Sequence, residues 1–172
     1  MDSKQRRQAI LEEINKSQSP IKGSQLAKIF DVSRQVIVQD IALLRARGEE
    51  IIATPQGYMT PRSTSKQRYR RVIACKHSYE DMEDELMIII DYGGTVIDVV
   101  VEHEVYGEFR AELMLSSPYE VKSFSKDMQR EGVKPLSSLR QGIHLHTIEA
   151  EDPKILDKIE VALREKGYIL ED

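Results

Sequence analysis

The 172-residue chain contains a single cysteine, Cys75, and no tryptophan. One thiol excludes an intramolecular disulfide and any zinc finger built on a cysteine cluster, and it suits a reducing compartment. Long apolar runs are missing as well. The longest unbroken aliphatic stretch is Leu86–Ile90, far below the roughly 20 residues that a membrane-spanning helix needs. Residues 1–19 hold no apolar core of the kind a secretory signal uses. With 40% hydrophobic and 31% charged residues, the composition is that of a chain with a packed core and no membrane partner. A cytoplasmic location is expected.

Acidic residues outnumber basic ones only slightly, 29 to 25, but the excess is unevenly placed. Residues 1–73 carry 14 basic and 7 acidic side chains, a net of +7, and the remaining residues carry a net of −11. Such an asymmetry points to two domains, the first with an anionic partner. Residues 54–71 contain two prolines, a glycine and five basic residues, with no aliphatic side chain except Met59. This stretch reads as a turn followed by a solvated connection, dividing the chain into domains 1–65 and 66–172.

In the first domain the apolar spacing predicts helices over Ser3–Lys16 and Gly23–Phe30. A third helix is capped by Ser33 and ended at Gly48, and a small hairpin follows around Thr54-Pro55-Gln56-Gly57. That order is a winged helix-turn-helix. On the third helix, Ile37, Ile41 and Leu44 share one face. Gln35, Gln39, Ala42 and Ala46 lie opposite, flanked by Arg34, Val36 and Val38. Glutamine pairs with adenine edges, arginine with guanine edges and valine with a thymine methyl, so this face suits the major groove of double-stranded operator DNA. The candidate DNA-contacting set is Ser33, Arg34, Gln35, Val36, Val38, Gln39, Arg45, Gln56 and Tyr58. A helical hairpin that only packs or dimerises is the bland alternative; the basic excess of this half argues against it.

The acidic half reads as strands interleaved with helices: strands at Arg71–Lys76, Thr95–His103, Glu108–Leu115 and Ile143–Ala150, and helices at Tyr79–Tyr92, from Ser117-Pro118 to about Arg130, and from Pro153 through Lys166. Tyr168–Leu170 is a possible last strand. The expected class is α+β, a two-layer α/β sandwich with a mixed sheet. Its chemistry lies in the histidines. His144 and His146 are two apart in a strand and leave one face. His77 ends another strand, and Glu85 lies eight residues later in the following helix. If strand and helix pack together, three imidazoles and a carboxylate converge into a site for zinc, nickel, cobalt, iron or manganese. Cys75 alternates with His77 and is a nearby soft donor. Surface histidines satisfied by ordinary hydrogen bonds are an equally weighted reading of the spacing alone. His103, before the hairpin turn, reads as a turn residue.

Two sets of residues resemble a known family. Ile21-Lys22-Gly23-Ser24-Gln25-Leu26-Ala27 and Asp31-Val32-Ser33-Arg34-Gln35, with Ile37, Asp40, Ile41, Leu44 and Arg45, resemble the helix-turn-helix of biotin-repressor-like regulators. The run Tyr69-Arg70-Arg71-Val72-Ile73 ahead of His77, then Glu85, residues 101–107 (VEHEVYG), Glu112 and residues 142–148 (GIHLHTI) resemble the three-histidine domain of the niacin-responsive repressor (NiaR) family. Glu104 stands where that family usually has proline. The resemblance implies a homodimeric repressor of NAD synthesis and niacin uptake genes, with nicotinic acid as corepressor. It also implies a divalent metal on His77, Glu85, His144 and His146. A metal or redox sensor, or a metal-dependent hydrolase joined to a DNA-binding domain, are the alternatives that the residues leave open.

Overall fold

The computed structural model describes residues 1–61 and 67–171. It comprises two compact units, Met1–Ser63 and Thr64–Asp172. Residues 62–66, within the expected connection and its division at 65/66, lie outside the described residues.

In the first unit, α1 (Ser3–Lys16) starts at Asp2, whose side chain accepts from the Gln5 amide while Gln5 reaches back to the Asp2 amide. This capping box satisfies donors that the first turn would otherwise leave open. Helices α2 (Gly23–Ile29) and α3 (Arg34–Ala46) follow. Ile10, Leu11 and Ile14 of α1 meet Leu26 of α2 and Ile37, Ile41 and Leu44 of α3 in one core. Burying each such side chain contributes about 1.5–3 kcal/mol. β1 (Ile52–Thr54) and β2 (Gly57–Met59) form an antiparallel wing. Tyr58 and Ile21 exchange both backbone hydrogen bonds, at 2.9 Å each. Gly57 is required there: at φ +134°, a Cβ would lie 2.3 Å from the Ile21 carbonyl oxygen. This is the winged helix-turn-helix expected from the sequence.

The second unit contains β3 (Tyr69–Lys76), α4 (Met82–Asp91), β4 (Thr95–His103), β5 (Gly107–Leu115), α5 (Pro118–Met128), β6 (Ile143–Ala150) and α6 (Pro153–Glu165). Its four-stranded sheet has the order β3-β6-β4-β5. Every neighbouring pair is antiparallel, so the expected mixed sheet is corrected to a wholly antiparallel one. The reason is topological. The connection through α4 carries the chain from β3 to β4, and β6 fills the place between them in the opposite direction. The last residues also join: Lys76 donates to the Tyr168 carbonyl and Leu170 to that of Ala74, around a bridge of Cys75 with Ile169. Leu86, Ile89 and Ile90 of α4, Val121 of α5, and Leu156, Ile159 and Leu163 of α6 pack with Ile73, Cys75, Val96, Leu115, Ile148 and Ala150 of the sheet. A 3₁₀ turn at Leu136–Arg140, absent from the sequence reading, precedes β6. Among the described residues no helix is long and apolar enough to cross a membrane.

Candidate functional site

Strand register places the acidic unit's histidines. Cys75 lies opposite His144 and Ile73 opposite His146, so these four side chains share the face that meets the helices. Glu85 comes down on that face from the first turn of α4, while His77 arrives from just beyond β3. All three histidines aim Nε2 at one carboxylate. The distances are 2.7 Å from His77 to Glu85 Oε2, 3.4 Å from His144 to Oε1 and 3.5 Å from His146 to Oε2. The side chain of Glu85 is fully buried and those of the histidines are 3–4% exposed.

The other ring nitrogens are spoken for. His77 Nδ1 bonds the Ser78 carbonyl at 2.7 Å, His144 Nδ1 that of Gly142 at 2.8 Å, and His146 Nδ1 that of Asp98 at 2.6 Å. A carbonyl oxygen only accepts, so each Nδ1 carries a proton and each Nε2 is left to face the carboxylate. Without a metal, protons bind the rings to the carboxylate, as in the 2.7 Å bond in which His77 Nε2 donates to Glu85 Oε2. A cation taking the place of those protons would find all three Nε2 atoms directed at it. Glu85 Oε1 has no hydrogen-bond partner among the described residues, with His144 Nε2 at 3.4 Å. Burial opposes ionisation of Glu85, yet the pull of His146 and the bonds to the histidines hold its carboxyl well below the usual range. Burial likewise disfavours charge on His77 and His146, but Glu85 outweighs it and raises both.

That donor set fits a divalent transition metal once the rings give up those protons: three imidazoles, an ionised carboxylate, and carbonyls that hold a proton on each Nδ1, as metal-ligating histidines require. The sequence reading missed those outer partners. Asp98 is one: buried in β4, it accepts from Thr147 N through Oδ1 and pairs with Arg110 through Oδ2, which holds its carbonyl at His146. Gly142 is another, approaching so closely that a Cβ would lie 2.2 Å from the His77 carbonyl oxygen. The Ser78 carbonyl is the third, and Tyr168 borders the cluster without bonding a ring nitrogen. Its ring stands edge-on to His77 at 5.4 Å and its hydroxyl donates to Asp84 at 2.8 Å. Cys75 Sγ, a Glu85 oxygen and a His144 nitrogen lie within 4.8 Å of one another. Burial, with Glu85 adding to it, pushes the thiol up and keeps it protonated while no cation is bound.

His103 stands outside the cluster. Its Nδ1 accepts from the Val105 and Tyr106 amides and its ring lies against Tyr106 and Phe109, the role of a turn residue. Glu104 is exposed and pairs with Arg140 at 3.5 Å.

In the first unit, Arg34, Gln35, Val38, Gln39 and Arg45 are exposed along α3, and Val36 is half-buried. Ser33, also exposed, caps α3 by accepting from the Val36 amide at 3.3 Å. Gln56 sits in the wing turn with its side-chain oxygen shielded, and the half-buried Tyr58 packs on the core. The sequence reading gave Asp40 no structural role. Buried on α3, it accepts from Arg6 Nε at 2.7 Å and Arg7 Nη1 at 3.3 Å, tying α3 to α1.

Comparison with known proteins accounts for both units. Residues 6–59 match an HTH domain and residues 70–172 a 3H domain. The chain is 42% identical over 168 residues to the probable transcription repressor NiaR of Thermotoga maritima, covering 98% of this chain and 95% of that protein. It is 44% identical over 169 residues to the transcription repressor NadR of Bacillus subtilis, covering 97% and 94%. These relatives are regulators, which removes the hydrolase reading. With an HTH domain ahead of a 3H domain and near-complete coverage of both relatives, the chain belongs to the NiaR family of transcription repressors.

Proposed function

We propose that this protein is a cytoplasmic homodimer that represses NAD synthesis and niacin uptake genes, with nicotinic acid as corepressor and a divalent transition metal in its acidic domain. His77, Glu85, His144 and His146 would hold the metal, which would supply a positive centre for the nicotinate carboxylate. The observation that carries this reading is the convergence of three Nε2 atoms on buried Glu85. The chain's own part follows from the geometry. The Ser78, Gly142 and Asp98 carbonyls fix each ring, and burial excludes competing water. On α3, Arg34, Gln35, Val38, Gln39 and Arg45 would meet the operator's major groove with Val36 at their flank, Ser33 would hold the helix start, and Gln56 and Tyr58 would serve the wing.

A corepressor acts only by favouring the DNA-competent state. In a dimer, that state would space two recognition helices about 34 Å apart, one helical turn of DNA. Titrating nicotinate onto metal-loaded protein with a labelled operator tests this. Tighter operator binding, absent with nicotinamide and absent in a His144→Ala/His146→Ala double variant, is expected. Operator affinity indifferent to nicotinate would sink the corepressor role. The near-complete burial of the four donors favours a second reading, in which the cation itself is the signal. Metal-dependent operator binding that needs no organic ligand would establish that one.

A further inference from the structure

We propose that Cys75 is a fifth ligand of the cation, so that this protein's site is a mixed imidazole, carboxylate and thiolate centre. The inference rests on the metal reading of the cluster and adds a residue to it. Cys75 is completely buried on β3, directly opposite His144 and on the same face. Its sulfur, a Glu85 oxygen and a His144 nitrogen fall within 4.8 Å of one another. The cluster also contains an independent sign of a missing ligand partner: fully buried Glu85 keeps Oε1 unpaired among the described residues, and His144 Nε2 points at that oxygen from 3.4 Å. A cation seated at this carboxylate would therefore have the sulfur within reach as well as the imidazole of His144.

The backbone holds the sulfur in place. Cys75 pairs with His144 on one side and bridges to Ile169 on the other, so its strand is flanked on both edges. Buried cysteine is often a small apolar filler. Here the side chain borders a carboxylate and an imidazole instead of hydrocarbon alone. On joining the cation the thiol would release its proton to solvent and bind as thiolate. A sulfur donor moves preference away from hard, oxygen-loving ions such as manganese and towards zinc, cobalt and nickel.

Cobalt(II) provides the test, because thiolate ligation adds a near-ultraviolet sulfur-to-cobalt charge-transfer band to the visible ligand-field bands. Full-length protein stripped of metal and titrated with cobalt(II) should show both sets of bands. Cys75→Ser and Cys75→Ala should keep the visible bands, lose the near-ultraviolet band and release one proton fewer per cobalt bound. Visible bands without the charge-transfer band in the unaltered protein would overturn the role of Cys75 and leave the four-residue site standing. No cobalt spectrum at all would overturn both. The decisive spectrum is that of the unaltered chain, so poor folding of a variant does not remove the test.

Discussion

A buried carboxylate facing three imidazoles is arranged for positive charge, and the most sensitive positions are those that aim the rings. Gly142 illustrates this. It has φ +89°, and a methyl group there would meet the His77 carbonyl at 2.2 Å. Gly142→Ala must therefore displace the segment carrying both the His77 backbone and the carbonyl that orients His144. Metal affinity is expected to fall about 10–100-fold, the usual cost of losing an outer partner, measured by competition with a chromophoric chelator. Unchanged affinity would show that the approach is incidental. Acidity gives a second handle. A cation and a proton compete for the same Nε2 atoms, and Glu85 holds the His77 and His146 protons to a pH above the ordinary 6.5. Raising the pH through that window frees the nitrogens, so metal binding should strengthen as pH rises and weaken as it falls. Each displaced proton contributes a factor of about ten per pH unit. Chelator competition across a pH series would read the slope, and a slope of the opposite sign would contradict the ligand set.

At the scale of elements, α3 has two tasks on two faces. Its exposed face is the one proposed to meet DNA, while Asp40 on the inner face accepts from two α1 arginines. Asp40→Ala leaves Arg6 and Arg7, both largely buried, without a carboxylate. Hydrogen bonds to charged groups contribute about 1.5–3 kcal/mol, so a loss of that order in the unfolding free energy is expected by urea denaturation. Asp40→Asn should recover part of it by keeping an acceptor. A loss within about 0.5 kcal/mol, the range of an ordinary surface change, would mean that the arginines find solvent instead. The element boundaries were legible wherever local chemistry sets them. Asp2, Ser33, Ser117 and Asp152 each cap a helix through their own side chains. The 3₁₀ turn at Leu136–Arg140 was not legible, because five residues with two isolated leucines give no period to detect.

For the whole molecule, charge separates the labour: the basic end supplies attraction to phosphate and the acidic end contributes none. Operator affinity should fall steeply with salt, and Arg34→Ala should reduce the slope of log affinity against log salt by about one if that side chain neutralises a phosphate. Nitrocellulose filter binding or fluorescence anisotropy at several salt concentrations measures it. An unchanged slope with lower affinity would assign Arg34 to a base edge instead.

The sequence by itself determined the two-domain plan and the helix-turn-helix and named the three histidines and Glu85 as candidate ligands, because charge asymmetry, 3.6-residue spacing and strand alternation are written locally. Tertiary structure decided the rest. It alone placed β6 between β3 and β4, making the sheet antiparallel and bringing His144 beside Cys75. It alone aimed the Asp98 carbonyl at His146 from 48 residues away. Such contacts depend on strand order and on bulges, which no short-range pattern encodes, and they bring the four candidate ligands into one cluster.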